Sequence, residues 1–89
     1  MTRRPVQIRN RLGLHARAAA RFVHMANRFR SRVAVTCDGQ TMDGKSILGI
    51  LLLAASQGTR LMVSADGEDE APAVEALAAL VDGGFGEEA

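Results

Sequence analysis

The sequence has no tryptophan, no tyrosine and only three phenylalanines. A binder of single-stranded nucleic acid needs rings on which bases stack, so that class is disfavoured. One cysteine, Cys37, excludes an internal disulfide and fits a reducing compartment. No apolar run approaches the ~20 residues of a membrane span. The N-terminal MTRRPVQIRN also lacks the apolar stretch of a secretory signal. No group of His, Cys and acidic residues has metal-ligand spacing, so neither a metal nor another cofactor is expected. These absences predict a soluble cytoplasmic protein with no membrane partner, and 89 residues suggest one domain spanning 1–89.

Charge of one sign is missing from each end. The first 32 residues hold nine arginines (3, 4, 9, 11, 17, 21, 28, 30 and 32) and no acid, while eight acids and no base follow from Asp66 onward. Such polarity can mark a nucleic-acid surface. With so few aromatics, a basic face for an acidic protein partner or an anionic group explains it as well.

Periodicity supplies the elements. VQIR (6–9) alternates as a short strand with Pro5 at its start. A helix from about Ala16 to Asn27 has an apolar stripe of Ala19, Phe22, Val23 and Ala26, with Arg17, Arg21, His24 and Arg28 opposite. RVAVTC (32–37) alternates, Asp38-Gly39 is a hairpin-turn signal, and QTMD (40–43) returns. Ser46 is a good N-cap for a helix over 47–55 that Gln57-Gly58 ends. RLMVSAD (60–66) is a further strand. Asp69 can cap a last helix from Glu70 to about Asp82, with Val74, Leu77, Leu80 and Val81 buried and Gly83-Gly84 stopping it. The order β-α-β-β-α-β-α, with a central hairpin, predicts an α+β fold: an antiparallel sheet with helices packed on one face.

Gly39 to Ser46, GQTMDGKS, fits the nucleotide-binding pattern G-x-x-x-x-G-K-[ST] letter for letter. A P-loop needs a buried parallel strand, a wide loop of N–H donors and a following helix, with a distant acid such as Asp66 for the metal. Ser46 does open a helix. Asp38-Gly39 reads as a tight hairpin, however, and the chain is short for a crossover connection. A small nucleotide hydrolase is therefore the weakest of the functional readings.

NRLGLHARAAA is more informative. Most helices begin with Ser, Thr, Asp or Asn, whose oxygen occupies the free N–H groups of the first turn. This one begins with Gly13, Leu14, His15 and Ala16, leaving those donors open to an anion. The positive end of the dipole favours a neutral, nucleophilic ring at His15. Arg17 offers planar donors to phosphate oxygens. The set suits reversible holding of a phosphoryl group; a capping histidine with a chance arginine is the bland alternative.

GLHAR at 13–17, GKSILGILLLAA at 44–55 and QGTRLMVSADGEDE at 57–70 resemble the HPr family, the histidine-containing phosphocarrier proteins of the bacterial phosphoenolpyruvate phosphotransferase system. The likeness runs from about Val6 to Val81. It implies an open-faced sandwich, with a four-stranded antiparallel sheet covered on one face by three helices. It also implies that His15 accepts a phosphoryl group from enzyme I, on Nδ1 in the family, and passes it to a histidine of an EIIA-type protein. Arg17 matches the phosphate-assisting arginine. Ala18 stands where the family commonly has proline, which predicts a slightly looser turn. Ser46 matches a serine that an HPr kinase/phosphorylase can modify. Phosphate there adds roughly −1.5 to −2 charges and would lower transfer to His15. GGFGEE and LGLHAR resemble the nitrogen-related branch, whose output is regulation; the sugar-importing branch stays open beside it.

The 47–55 helix is more apolar than one buried stripe requires. If Ile50 and Leu53 face the sheet, Ile47, Leu48 and Leu51 lie largely outside and form a docking patch. Ala16, Ala20, Arg21 and Gln57 are expected around it. His24 reads as a surface residue, and Cys37 and the methionines as packing. The expected molecule is a monomeric relay, not an enzyme in itself. A regulatory adaptor, acting by docking and Ser46 modification, is the alternative: replacing His15 by Ala stops a relay, whereas an adaptor still binds.

Overall fold

A computed structural model describes residues 1–87 of the chain. In order come β1 (Thr2–Gln7), α1 (Ala16–Ala26), β2 (Arg32–Cys37), β3 (Gln40–Asp43), α2 (Ile47–Leu52), β4 (Arg60–Asp66), α3 (Glu70–Asp82) and a 3-10 turn (Gly84–Gly86). The strands form one antiparallel sheet in the order β1-β4-β2-β3. The three helices cover one side of it, as the patterning predicts.

Alternation decides which side. Val33, Val35 and Cys37 of β2 and Leu61, Val63 and Ala65 of β4 are all buried. Val33 pairs with Ala65 and Val35 with Val63, so the apolar residues of neighbouring strands share a face. Onto them α1 packs Ala18, Ala19, Phe22, Val23 and Ala26, and α3 packs Ala73, Val74, Leu77, Ala78 and Val81. Leu80 is only half-buried. Cys37 sits among this packing, and burial, with help from the Asp38 charge, pushes its thiol up. Met25 and Met42 pack against the core, whereas Met1 and Met62 are exposed, contrary to the expectation for the methionines.

Three local readings need correction. β1 spans Thr2–Gln7, not 6–9, in register from Thr2↔Ala65 to Gln7↔Arg60. Pro5 lies inside it, which an edge strand tolerates because one side has no ladder to break. α2 ends at Leu52, not 55: Ala54 adopts φ 50°, and Ala55 turns its carbonyl to the Leu14 N–H at 2.9 Å. Asp69 occupies the N-cap position of α3 without capping it. Its carboxylate instead accepts from the Arg30 and Ser31 N–H groups, both at 2.9 Å, and from the Ser31 hydroxyl at 2.5 Å. The bend before β2 has free donors, and they outcompete the helix.

The charge polarity is partly consumed at home. Glu70 receives the terminal ammonium at 3.0 Å, Arg4 pairs with Glu75, and Arg30 lies 3.8 Å from Glu68. The arginines of α1 are left as the basic face.

Candidate functional site

The loop between β1 and α1 places the histidine. Gly13 has φ 67°, a conformation open to glycine without a Cβ penalty. Its missing side chain lets the loop lie against the end of α2, because a Cβ there would come within 2.5 Å of the Ala55 carbonyl oxygen. Leu14 is buried beside it. His15 then takes the N-cap position with extended φ and ψ of −75° and 176°, and its side chain makes no cap hydrogen bond. The first-turn N–H groups of Ala16, Arg17 and Ala18 thus have no side-chain cap, as the sequence reading expects. Arg17 and Ala16 are exposed on that turn, while Ala18 is fully buried. An anion beside His15 meets a helix N-terminus and a guanidinium together.

One partner of the ring lies outside that reading. Nε2 of His15 is 2.6 Å from Oε2 of Glu87, a residue in the tail beyond α3. The other oxygen of the same carboxylate accepts from the Asn10 amide at 2.9 Å. Partial burial pushes the Glu87 carboxyl up. The hydrogen bonds from Asn10 and His15, together with the Arg17 charge, outweigh it and leave the group below the usual carboxylate range. Asn10, Phe85 and Glu87 all escaped the sequence reading. A lone aromatic between glycines and before acids, GGFGEE, was the available signal.

The second candidate, Ser46, caps α2 as expected, its hydroxyl accepting from the Gly49 N–H at 3.0 Å. The segment before it is not an anion nest. Asp38 and Gly39, with φ 49° and 81°, make a two-residue hairpin, and Gln40 to Asp43 are paired with β2. A Cβ on Gly44 would strike the Val33 side chain at 2.4 Å, so this glycine serves close packing. Lys45 points away, donating to the Phe29 carbonyl at 2.7 Å. Asp66 sits 3.8 Å from the terminal ammonium. The nucleotide-hydrolase reading fails at the strand, the loop and the lysine, although Ser46 does open a helix.

Around the histidine, Ile47 and Leu48 are exposed, at 45% and 68%. Leu51 is not: it is half-buried and packs against the core, because α2 turns its 50–51–53 side inward. Leu52, at 60%, is exposed on the same short helix instead. Ala20 and Gln57 are exposed, and Gln57 donates to the Arg9 carbonyl at 3.0 Å. Arg21 donates to the Phe85 carbonyl. Arg17, Ala20, Arg21, exposed His24, Met25, Arg28 and Leu80 line an open groove of about 440 Å³. A larger groove of about 600 Å³ is lined by Thr41, Met42, Asp43, Lys45 and Asp66 from the rejected nucleotide reading, and by none of the residues expected for the relay.

The family model of the PTS HPr component phosphorylation site matches residues 2–82. The chain belongs to the HPr family. It is 46% identical to the phosphocarrier protein HPr of Neisseria meningitidis serogroup A over 87 residues, 98% of each chain. A crystal structure of HPr-C-His from Thermoanaerobacter tengcongensis superposes with a TM-score of 0.96, at 44% identity and 100% of both chains. A structure of an HPr dimer from the same organism gives 0.78 at 44% identity, covering 98% of this chain and 100% of that one. The open four-stranded sheet with three helices is thus the HPr fold, and a phosphocarrier role follows from membership.

Proposed function

We propose that the chain is a cytoplasmic phosphoryl relay that accepts the group from enzyme I on His15 and passes it to a histidine of an EIIA-type protein. One observation carries the proposal: His15 stands at the uncapped N-terminus of α1 with Arg17 on the same turn. In the acceptor step a ring lone pair forms the N–P bond while the donor's bond to phosphorus breaks and its leaving group takes the pair. The first-turn N–H groups and Arg17 receive the phosphoryl oxygens. The chemistry needs no metal or cofactor of the chain's own.

Docking uses Ile47, Leu48 and the adjoining Leu52, with Ala16, Ala20, Arg21 and Gln57 around them. Leu51 contributes from the half-buried side. The basic α1 groove complements an acidic partner surface. Ser46 is the substrate of an HPr kinase/phosphorylase, and phosphate there places negative charge beside the patch. The GGFGEE tail favours a recipient in the nitrogen-related branch. A monomer is the proposed state, and solution mass tests it against the dimer described for the Thermoanaerobacter tengcongensis protein.

The test is phosphorylation by enzyme I and phosphoenolpyruvate of the intact chain and of His15→Ala. Acid-labile, alkali-stable phosphate on the intact chain alone is the expected result. Equal labelling of both would remove His15 from the mechanism. Onward transfer to sugar-type and nitrogen-type EIIA proteins then identifies the recipient.

A further inference from the structure

The tail after α3 is tied down at several points. Phe85 is 1% exposed, a core residue held at φ 58° between two glycines. Its carbonyl accepts from Arg21, and the Glu87 N–H donates to the Gly84 carbonyl at 3.0 Å. Asn10, itself 1% exposed, reaches Glu87 at 2.9 Å with one amide hydrogen and the Gly13 carbonyl at 2.8 Å with the other. Its Oδ1 finds no donor among the described residues. An apolar residue would be spared that buried, unmatched acceptor. What asparagine contributes here is the pair of donors, and both act on the loop and the carboxylate that flank His15.

From these contacts we infer that Glu87 is a positioning residue for phosphoryl acceptance, holding His15 by Nε2–H so that Nδ1 presents its lone pair. An ionised carboxylate only accepts hydrogen bonds, so the ring nitrogen facing it carries the proton. In the neutral ring the other nitrogen is then bare, and the ring cannot swing to exchange the two. The same logic operates where carboxylates orient metal-bound histidines. The inference rests on the phosphocarrier reading and adds the device that selects the nitrogen.

The Nδ1 lone pair forms the N–P bond, the bond from phosphorus to the donor breaks, and the donor's leaving group departs with that pair. The ring keeps its Nε2 proton and becomes cationic. Glu87 already faces that charge across 2.6 Å and stabilises it. In onward transfer the cationic ring is the leaving group, and it returns to the neutral Nε2–H form with Nδ1 free.

A partner-free donor tests the inference on the full chain. Phosphoramidate supplies phosphoryl as its P–N bond breaks and ammonia leaves with the bonding pair. Wild type, Glu87→Gln and Glu87→Ala are labelled with ¹⁵N and compared for thermal midpoint, the exchange-protected Nε2–H signal of His15, and the nitrogen that acquires phosphate. The expected result is a protected Nε2–H and an Nδ1 product in wild type. In Glu87→Ala the protected signal disappears, Nδ1 phosphorylation slows roughly tenfold, as loss of a charge-assisted hydrogen bond implies, and some product moves to Nε2. Glu87→Gln keeps an acceptor carbonyl and retains the Nδ1 selectivity while losing part of the rate. A Glu87→Ala chain of wild-type rate and wholly Nδ1 product would overturn the inference and leave Glu87 a tail anchor. If wild type takes no phosphate from either donor while the Nε2–H signal still depends on Glu87, the positioning stands and the carrier reading fails.

Discussion

Replacing Gly13 by alanine tests how the fold holds the acceptor loop, and Gly39→Ala is its internal control. Both glycines have positive φ, 67° and 81°, so both variants bear the left-handed backbone penalty of roughly 1–2 kcal/mol. A smaller unfolded-state entropy offsets that by about 0.4–1 kcal/mol. Beyond that the two sites differ. A Cβ on Gly39 meets nothing within 4 Å, whereas on Gly13 it lies 2.5 Å from the Ala55 oxygen and 3.0 Å from the Ser56 Cα. Those are backbone atoms that cannot rotate away. The loop must lift, and the 2.9 Å bond from Leu14 N–H to Ala55 is the contact that breaks. Losing it costs about 0.5–1.5 kcal/mol, and overpacking adds roughly 1–3 kcal/mol. The expected loss is therefore roughly 0–1.5 kcal/mol for Gly39→Ala and about 2–5 kcal/mol for Gly13→Ala. Urea unfolding of both variants measures the difference, with unchanged m-values confirming that the same transition is compared. Gly13→Ala should also take up phosphate at His15 more slowly, since the ring sits two residues on. Equal stability losses at the two sites would refute the steric argument, and with it the claim that Gly13 sets the approach of the loop to α2.

The other predictions concern the cap, the acids and the patch. Ser46→Ala should lose about 1 kcal/mol through the missing cap, whereas Ser46→Asp keeps a capping oxygen and melts close to wild type. If Asp nonetheless slows transfer from enzyme I and Ala does not, the effect is charge and not folding. Asp69 is held down to about 2, first by the Ser31 hydroxyl and then by the Arg30 N–H, and Glu70 to about 2, first by the Thr2 hydroxyl and then by the terminal ammonium. Both folded values lie below the unfolded ones. Their stabilisation is thus complete only above about pH 5 and is lost as pH falls toward about 2. Asp69→Asn should flatten that acid limb in pH-dependent melting. Leu48→Ser and Leu52→Ser, at 68% and 60% exposure, should leave the midpoint within about 0.5 kcal/mol of wild type yet weaken enzyme I binding by titration calorimetry. A buried core role would instead lower the midpoint.

Much of this protein was legible because local chemistry repeats. The α1 stripe is apolar at helical spacing, β2 and β4 alternate, and Asp38-Gly39 makes the hairpin they signal. The open helix start at His15 could be read from the absence of an oxygen-bearing cap residue, which is a property of a few neighbours in sequence. Membership of the HPr family was legible for the same reason, since its motifs are contiguous runs. Direction and distance were not legible. GQTMDGKS has the letters of a phosphate loop; its hairpin was legible in Asp38-Gly39, but only the turn of Lys45 toward Phe29 and the packing of Gly44 on Val33 show its end to be a packing corner. The length of α2 was misjudged because leucines and alanines favour a helix through residue 55, while the contact of Ala55 with Leu14 ends it early. The rotation of α2 against the core, which leaves Leu52 and not Leu51 exposed, was likewise not legible. Glu87 reaches His15 across 72 positions of chain because Phe85 is buried beside α1 and Asn10 meets the tail. Sequence by itself determined the elements and the uncapped helix start that carries His15 and Arg17, since each depends on residues within a turn or two. Tertiary structure alone decided what stands opposite the acceptor ring, because a hydrogen bond between distant segments exists only once the core has brought them together.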